Sequence, residues 1–294
     1  MAKSKKQSEP QSVTAVGLPP GNGVLQVSNL GSVAIDSVAP PVEQAKNEIP
    51  AAITPPSSIL TIDVGGTKVK MLVSGQNEPR KAPTGKGFTP AALVKAVQEL
   101  TADWSYDAIS LGFPVPMGSR GPKTEPGKLG HGWVGFDYAA AFGKPIKMIN
   151  DAAMQALGSY DGGRMLFLGL GTGLGSALIA EHVIVPLELG NLRYDRKRTL
   201  GDVLGRRGLK EIGKKAWRDA VNNTVTDFMR AFLVDYIVVG GGNADQTRNL
   251  PHGARLGNNL NAFQGGFRLW SAENRWFLAP SGGAETPPPV RILP

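Results

Sequence analysis

Apolar residues along the chain fall into strand-length runs separated by stretches with helical spacing, and many of the runs stop at glycine. Residues 57–62 are β-rich and lead into Asp63-Val64-Gly65-Gly66-Thr67. Residues 68–73 continue as a second strand, which predicts a hairpin around a glycine turn. Thr89-Pro90 opens a helix, with threonine as N-cap and proline at the first helical position, and Leu93, Val97 and Leu100 share one face of it. A buried strand is expected at 108–113, running into Pro114-Val115-Pro116. Another at 144–149 ends at Asn150-Asp151, where a helix over 152–159 begins. Residues 165–170 form a strand leading into Gly171-Thr172-Gly173-Leu174-Gly175-Ser176, and 177–180 and 183–185 extend the same sheet. Trp217, Val221, Val225, Phe228 and Phe232 recur at helical spacing and predict a long helix over about 214–234. A strand at 236–239 precedes Gly240-Gly241-Gly242. Alternating strands and helices indicate an α/β protein, and no fixed-period repeat points to a solenoid.

The ends lack this patterning. Residues 1–57 hold Pro-Pro pairs and Gly21-Asn22-Gly23 and read as a disordered tail, with 23–27 a short strand if an edge is offered. Residues 272–294 read as a second tail. The ordered part divides into an N-terminal lobe, 58–149, and a C-terminal lobe, 150–271, with 258–269 packing back across the hinge. The first residues, MAKSKKQSEP, carry no apolar run after their lysines and do not read as a signal peptide. No segment is long and apolar enough to span a bilayer, so a cytoplasmic protein is expected.

Composition narrows the chemistry. The 294 residues are 41% hydrophobic and include no cysteine, which rules out disulfides and cysteine-ligated zinc or iron–sulfur sites. Net charge is +8, and both tails sum to zero, so the whole excess belongs to residues 58–271. A basic folded part suits an anionic partner such as a nucleotide, polyphosphate or nucleic acid, and also serves solubility.

Three glycine clusters sit at strand ends. In Asp63-Val64-Gly65-Gly66-Thr67-Lys68 the missing Cβ atoms let backbone N–H groups approach phosphate oxygens, and Asp63 suits a Mg²⁺ ion that keeps most of its waters; an ordinary hairpin turn is the competing role. Gly171-Thr172-Gly173 resembles part of a dinucleotide fingerprint, but the following residues read as a strand and not as a phosphate-binding helix. Gly240-Gly241-Gly242 leaves room for a flat ligand such as adenosine; taken alone it reads as a strand-to-helix turn. Asp151 serves either as a helix cap or as a carboxylate accepting a proton from a substrate hydroxyl, with Asn150 orienting the same substrate.

Taken in order, these elements resemble the actin-like ATPase superfamily and, within it, the ROK sugar kinases, closest to the polyphosphate glucokinases. The resemblance implies a two-lobed, ribonuclease H-like fold with a ligand cleft between the lobes. It implies a hexokinase-type phosphotransferase acting on the 6-hydroxyl of glucose or a related hexose. Asp151 would be the catalytic base, with Asn150, Glu188, Asn191 and Lys128 at the substrate. Asp63, Gly65, Gly66, Thr67, Lys68, Gly171, Thr172, Gly173, Gly240, Gly241 and Gly242 would serve the phosphates and nucleotide, with Mg²⁺ at Asp63 and ATP or polyphosphate as donor. No zinc, nucleic-acid or membrane partner is expected, and a homodimer is.

Two positions depart from the pattern. Asn191 stands where the family's Glu-x-Gly-His element has histidine, and Lys128 where its sugar loop has asparagine; a non-catalytic sugar-binding or regulatory protein is therefore the alternative. In the sugar loop, Trp133 reads as a packing anchor and His131 as an exposed residue. From Arg193 to Arg218, ten basic residues against three acidic ones leave a surplus of seven, which attracts a polyanion or forms a solvated face.

Overall fold

A computed structural model describes residues 56–118, 120–258, 260–271 and 277–278; the expected strand at 23–27 and nearly all of both expected tails lie outside them. The first sheet contains β1 (Ile59–Val64), β2 (Lys68–Val73), β3 (Arg80–Pro83), β4 (Ala108–Phe113) and β7 (Ile146–Asn150). Between them come α1 (Pro90–Leu100), the small hairpin β5 (Met117–Gly118) and β6 (Gly121–Pro122), and α2 (Tyr138–Phe142). Helix α3 (Asp151–Ser159) follows β7 directly. The second sheet is built from β8 (Met165–Leu170), β9 (Leu174–Ala180), β10 (Val183–Leu187), β11 (Tyr236–Gly240), β12 (Ala254–Leu256) and β13 (Phe277–Leu278). Its helices are α4 (Leu200–Leu204) and α5 (Arg206–Phe232), and α6 (Asn261–Arg268) follows β12.

Both sheets follow one plan. The first has the order β3-β2-β1-β4-β7, and the second has β10-β9-β8-β11-β12 with β13 added outside β10. In each, three consecutive strands form an antiparallel meander, and two later strands add in parallel to the free side of the first.

The period of two along the strands decides which residues face which layer. Leu60, Ile62 and Val64 of β1 join Leu93 and Val97 of α1 in one core. The odd positions point the other way: Thr61 Oγ1 donates to the Phe263 carbonyl of α6 at 3.4 Å, and Asp63 lies on the same face at the strand end. In β8, Leu166 and Leu168 pack with Trp217, Val221 and Val225 of α5, while Met165 and Phe167 pack with α3. Helix α3 touches strands of both sheets, and α6 lies on β1 and β4 against α3. Ser110 Oγ donates to the Gly266 carbonyl at 2.6 Å, and Lys147 Nζ to that of Leu269 at 2.7 Å, which ties this last helix to the first sheet. The α3–α6 crossing brings backbone against backbone: a Cβ on Gly158 would overlap the Asn261 carbonyl oxygen, and one on Gly265 that of Met154.

The long helix expected over about 214–234 is present and ends at Phe232; a break at Gly213, whose φ of 78° is left-handed, separates it from a shorter helical stretch that starts at Arg206 and was not expected. Among the described residues no helix is long and apolar enough to cross a membrane.

Candidate active site

The strand ends of both sheets, the start of α3 and the loop at 126–129 line a cleft of about 640 Å³. Fourteen of the sixteen residues singled out from the sequence lie on its wall; Asn191 and Gly240 do not. Asn191 is exposed in the 3₁₀ turn Leu189–Asn191. Gly240 is buried, where a Cβ would meet the Phe167 ring at 2.7 Å.

The first turn is tight. The Gly65 amide donates to the Lys68 carbonyl at 3.0 Å, and Thr84, just past β3, braces the turn by donating its hydroxyl to the Gly65 carbonyl at 2.7 Å. The Lys128 stem lies over Gly66, with Cδ 3.1 Å from where a Cβ would stand. Lys128 thus joins the loop at 126–129 to the first turn. That loop is held by Glu125, whose carboxylate accepts from the amides of Trp133 at 3.1 Å and Val134 at 3.0 Å, lowering its pKa. Trp133 is fully buried against Phe88 and Phe113 and is a packing anchor; His131 is exposed.

The second turn is braced from two sides. The Arg206 amide donates to the Gly171 carbonyl at 3.0 Å, and Asn243 Nδ2 donates to the same oxygen at 2.8 Å. Positions around Gly171 and Gly173 are open, with nothing within 4 Å of an added Cβ. The turn leads into strand β9, as expected, and not into a helix. Gly241 has a φ of 84° and lies so close to β8 that a Cβ would be 2.7 Å from the Leu170 amide nitrogen; only glycine fits there. Ser176 Oγ donates to the Leu187 carbonyl at 2.9 Å and accepts from the Leu189 amide at 3.1 Å, fixing the bend that carries Glu188.

The helix cap at α3 belongs to Asn150, not Asp151. Asn150 Oδ1 accepts from the amides of Ala152 at 3.0 Å and Ala153 at 3.1 Å, and its Nδ2 donates to the Val115 carbonyl at 3.5 Å, which leaves one N–H of that group for a ligand. Asp151 is freed from the capping role, although its Oδ1 accepts from the Ala152 amide at 2.7 Å. Burial first, and then the nearby Asp63 and Glu188 carboxylates, push the Asp151 pKa up to about 7. Partial burial also raises Glu188. Asp63 accepts from Lys70 Nζ at 3.1 Å.

Two charged cleft residues were missed from the sequence. Lys70 stands directly across the β1–β2 ladder from Asp63, so working out the hairpin register would have exposed it. Arg206 was counted only as part of a basic run, and the expected helix start eight residues later hid its place beside the second turn.

No group of three or more His, Cys, Asp or Glu side chains is placed to hold a metal ion among the described residues. That donor set excludes an all-protein cage. Mg²⁺ needs no such cage, since it takes one or two carboxylates and completes its shell with water and phosphate oxygens; Asp63 lies in the cleft beside the first glycine turn, with one carboxylate oxygen paired to Lys70 at 3.1 Å.

No family model matches the chain. In sequence it is similar to the polyphosphate glucokinase of Mycobacterium leprae, 26% identical over 204 residues that cover 62% of each chain. The chain thus spans somewhat under two thirds of that relative's length. In structure it is similar to the inorganic polyphosphate/ATP-glucomannokinase of Arthrobacter sp. strain KM, with a TM-score of 0.62 at 22% identity, covering 73% of this chain and 98% of the other. It is also similar to a ROK family glucokinase of Streptomyces griseus solved with glucose and AMPPNP, with a TM-score of 0.59 at 16% identity, covering 72% and 99%. The fold is that of the actin-like ATPases, and the resemblance to ROK sugar kinases holds in both sequence and structure.

Proposed function

We propose that this chain, similar to the ROK sugar kinases, is a hexose kinase that moves a phosphoryl group from ATP or polyphosphate to the 6-hydroxyl of glucose or a related hexose. The observation that carries this reading is Asp151: a recessed carboxylate with a pKa near 7, no longer needed as a cap, in one cleft with two glycine turns. A base poised near neutral pH suits removal of a proton from an alcohol that is a poor nucleophile.

In this reading Asp151 Oδ accepts the hydroxyl proton as the oxygen attacks the terminal phosphorus and the bond to the leaving phosphate oxygen breaks. Glu188 and the Asn150 amide nitrogen orient the sugar. The turns at Gly65-Gly66-Thr67 and Gly171-Thr172-Gly173 hold the phosphates, with Lys68 and Arg206 countering their charge. Gly241 and Gly242 border the space for a nucleoside. Mg²⁺ held by Asp63, when bound, neutralises charge on the donor phosphates. Lys70 keeps the Asp63 carboxylate fixed. Lys128, packed over Gly66, serves the donor more than the sugar, and Asn191, outside the cleft wall, is no longer assigned to the sugar.

The test is a coupled assay of glucose and mannose, each with ATP and with polyphosphate. Turnover of one hexose with one donor is expected. Hexose binding by calorimetry without turnover under any pairing would instead establish the non-catalytic alternative.

A further inference from the structure

Three residues of α3 reach the cleft wall: Asp151, Ala152 and Gln155. Gln155 follows Asp151 by four residues and so shares its face of the helix, one turn further on and about 6 Å along the axis. Its backbone carbonyl accepts from Ser159 Oγ at 2.7 Å, but its half-buried side-chain amide has no hydrogen-bond partner among the described residues. The neighbours Ala152, Ala153, Met154, Ala156 and Leu157 are all buried and apolar. A polar amide held among such neighbours is costly to leave unbonded, so its partner has to come from the cleft.

The strands place this amide at the end of the cleft assigned to the donor. A Cβ on Gly240 would stand 3.9 Å from Gln155 Oε1, and Gly240 pairs with Gly169 across the β8–β11 ladder. Gly169 and Gly241 line the cleft, and the second turn begins two residues after Gly169. In the first sheet the corresponding strand end carries Asp63; here the strands offer only glycine, and the polar group comes from the helix. Oε1 is the end of the amide nearer to Gly240, which leaves Nε2 farther from the strands. The Asn243 amide, close by, is already spent on the Gly171 carbonyl at 2.8 Å. An uncharged donor suits this position. Lysine or arginine four residues after Asp151 would pair with that carboxylate and hold it ionised, whereas glutamine offers N–H groups and leaves the base unpaired. A phosphate oxygen, which accepts and does not donate, is the complementary partner.

We infer that the Gln155 side-chain amide donates to a phosphate of the donor that is not transferred, beside the second glycine turn. This rests on the hexose-kinase reading and adds a donor-binding residue to it. The test is calorimetry with ATP and with tripolyphosphate, each at one fixed Mg²⁺ concentration and without sugar. It compares the wild type with Gln155→Ala and the isosteric Gln155→Glu, both checked for folding by circular dichroism. Gln155→Ala should weaken both ligands about tenfold, the worth of one charge-assisted hydrogen bond, and Gln155→Glu should weaken them further because its charge repels phosphate. Glucose affinity should stay within about twofold in both variants. Unchanged binding of ATP and tripolyphosphate in both variants overturns the inference and leaves Gln155 a packing residue. A loss confined to ATP would move the contact to the nucleoside, a loss confined to glucose would move it to the sugar, and tighter binding by Gln155→Glu would make the side chain a metal ligand; each overturns it. A wild type that turns over no hexose with any donor refutes the kinase reading alone, because the calorimetric comparison needs no turnover.

Discussion

The two sheets share a plan but divide the chemistry unequally. In each, a six-residue strand is followed by a three-residue turn and an antiparallel partner: Ile59–Val64 before β2, and Met165–Leu170 before β9. The parallel ladders are in the same register, with Asp63 opposite Gly112 in the first and Gly169 opposite Gly240 in the second. The position of Asp63 is therefore held by Gly169. The same counting sets Asn150 against Asn258, and the likeness extends to their bonds: Asn150 Oδ1 accepts from the amide two residues on at 3.0 Å, and Asn258 Oδ1 does so at 2.9 Å. After Asn150 the sequence has Asp151; after Asn258 it has Asn259. Asp63 and Asp151 thus come from the first half, while the second contributes Glu188, an uncharged turn and the cationic α5. The shared plan supplies the geometry; in the proposed reading a glycine turn of each half holds phosphates, and the charge at two matched positions gives the proton acceptor to the first half alone.

The sharpest way to break this asymmetry is Asp151→Asn, which gives the first half the residue type found in the second. Sugar phosphorylation should fall about 10²–10⁴-fold, the usual worth of a positioned general base, with donor affinity by calorimetry unchanged. Wild-type turnover in the variant would remove Asp151 from the mechanism.

The next largest effect concerns the helices that join the halves. At Gly265 and Gly158 an added methyl meets backbone carbonyl groups, which cannot rotate away as a side chain could. Gly265→Ala should cost about 1–3 kcal/mol or more, seen as a lower urea midpoint. Gly173→Ala, in the open turn, should leave the midpoint within about 0.5 kcal/mol and show itself only as a raised donor KM. Equal midpoints for the two variants would contradict the close crossing.

Proton binding separates the halves more gently. Asp151 must be ionised to act, so kcat/KM should climb about tenfold per pH unit below 7 and level off above it. The linkage to stability has the opposite sign. Its native pKa lies above the ordinary carboxylate value, so the folded state gains from holding the proton, and that gain is lost as pH rises from about 4 to 7. Asp151→Asn, which carries no charge to bury, should therefore be more stable than wild type at pH 8 and not at pH 4, by urea denaturation at each pH.

Much of this was legible in the sequence because strand-forming runs end abruptly at glycine. Residues 108–113 and 165–170 match β4 and β8 residue for residue, and Thr89 caps α1 through the Ala92 amide as its pairing with Pro90 implied. The duplication was not legible. Across the ten aligned positions from Ile59 and Met165, only Leu60 with Leu166 and Gly65 with Gly171 are identical, because a strand needs apolar character and not a particular residue. Glu125 was equally hidden: its role depends on where a loop folds back over eight and nine residues, which no periodicity records. The cap at Asn150 escaped for another reason, since asparagine and aspartate cap about equally well and only the bonds distinguish them.

Asn258→Ala is the smallest and most discriminating change. It removes the second-half counterpart of the Asn150 bond, one hydrogen bond at 2.9 Å at an exposed position, so a loss of up to about 1 kcal/mol is expected. Because no matched carboxylate follows it, kcat should stay within about twofold. Asn150→Ala removes two such bonds at a buried position and displaces the backbone that aims Asp151, so it should lower both the urea midpoint and kcat. If Asn258→Ala reduced kcat as much as Asn150→Ala does, the two strand ends would be chemically equivalent, and assigning proton transfer to the first half alone would be wrong.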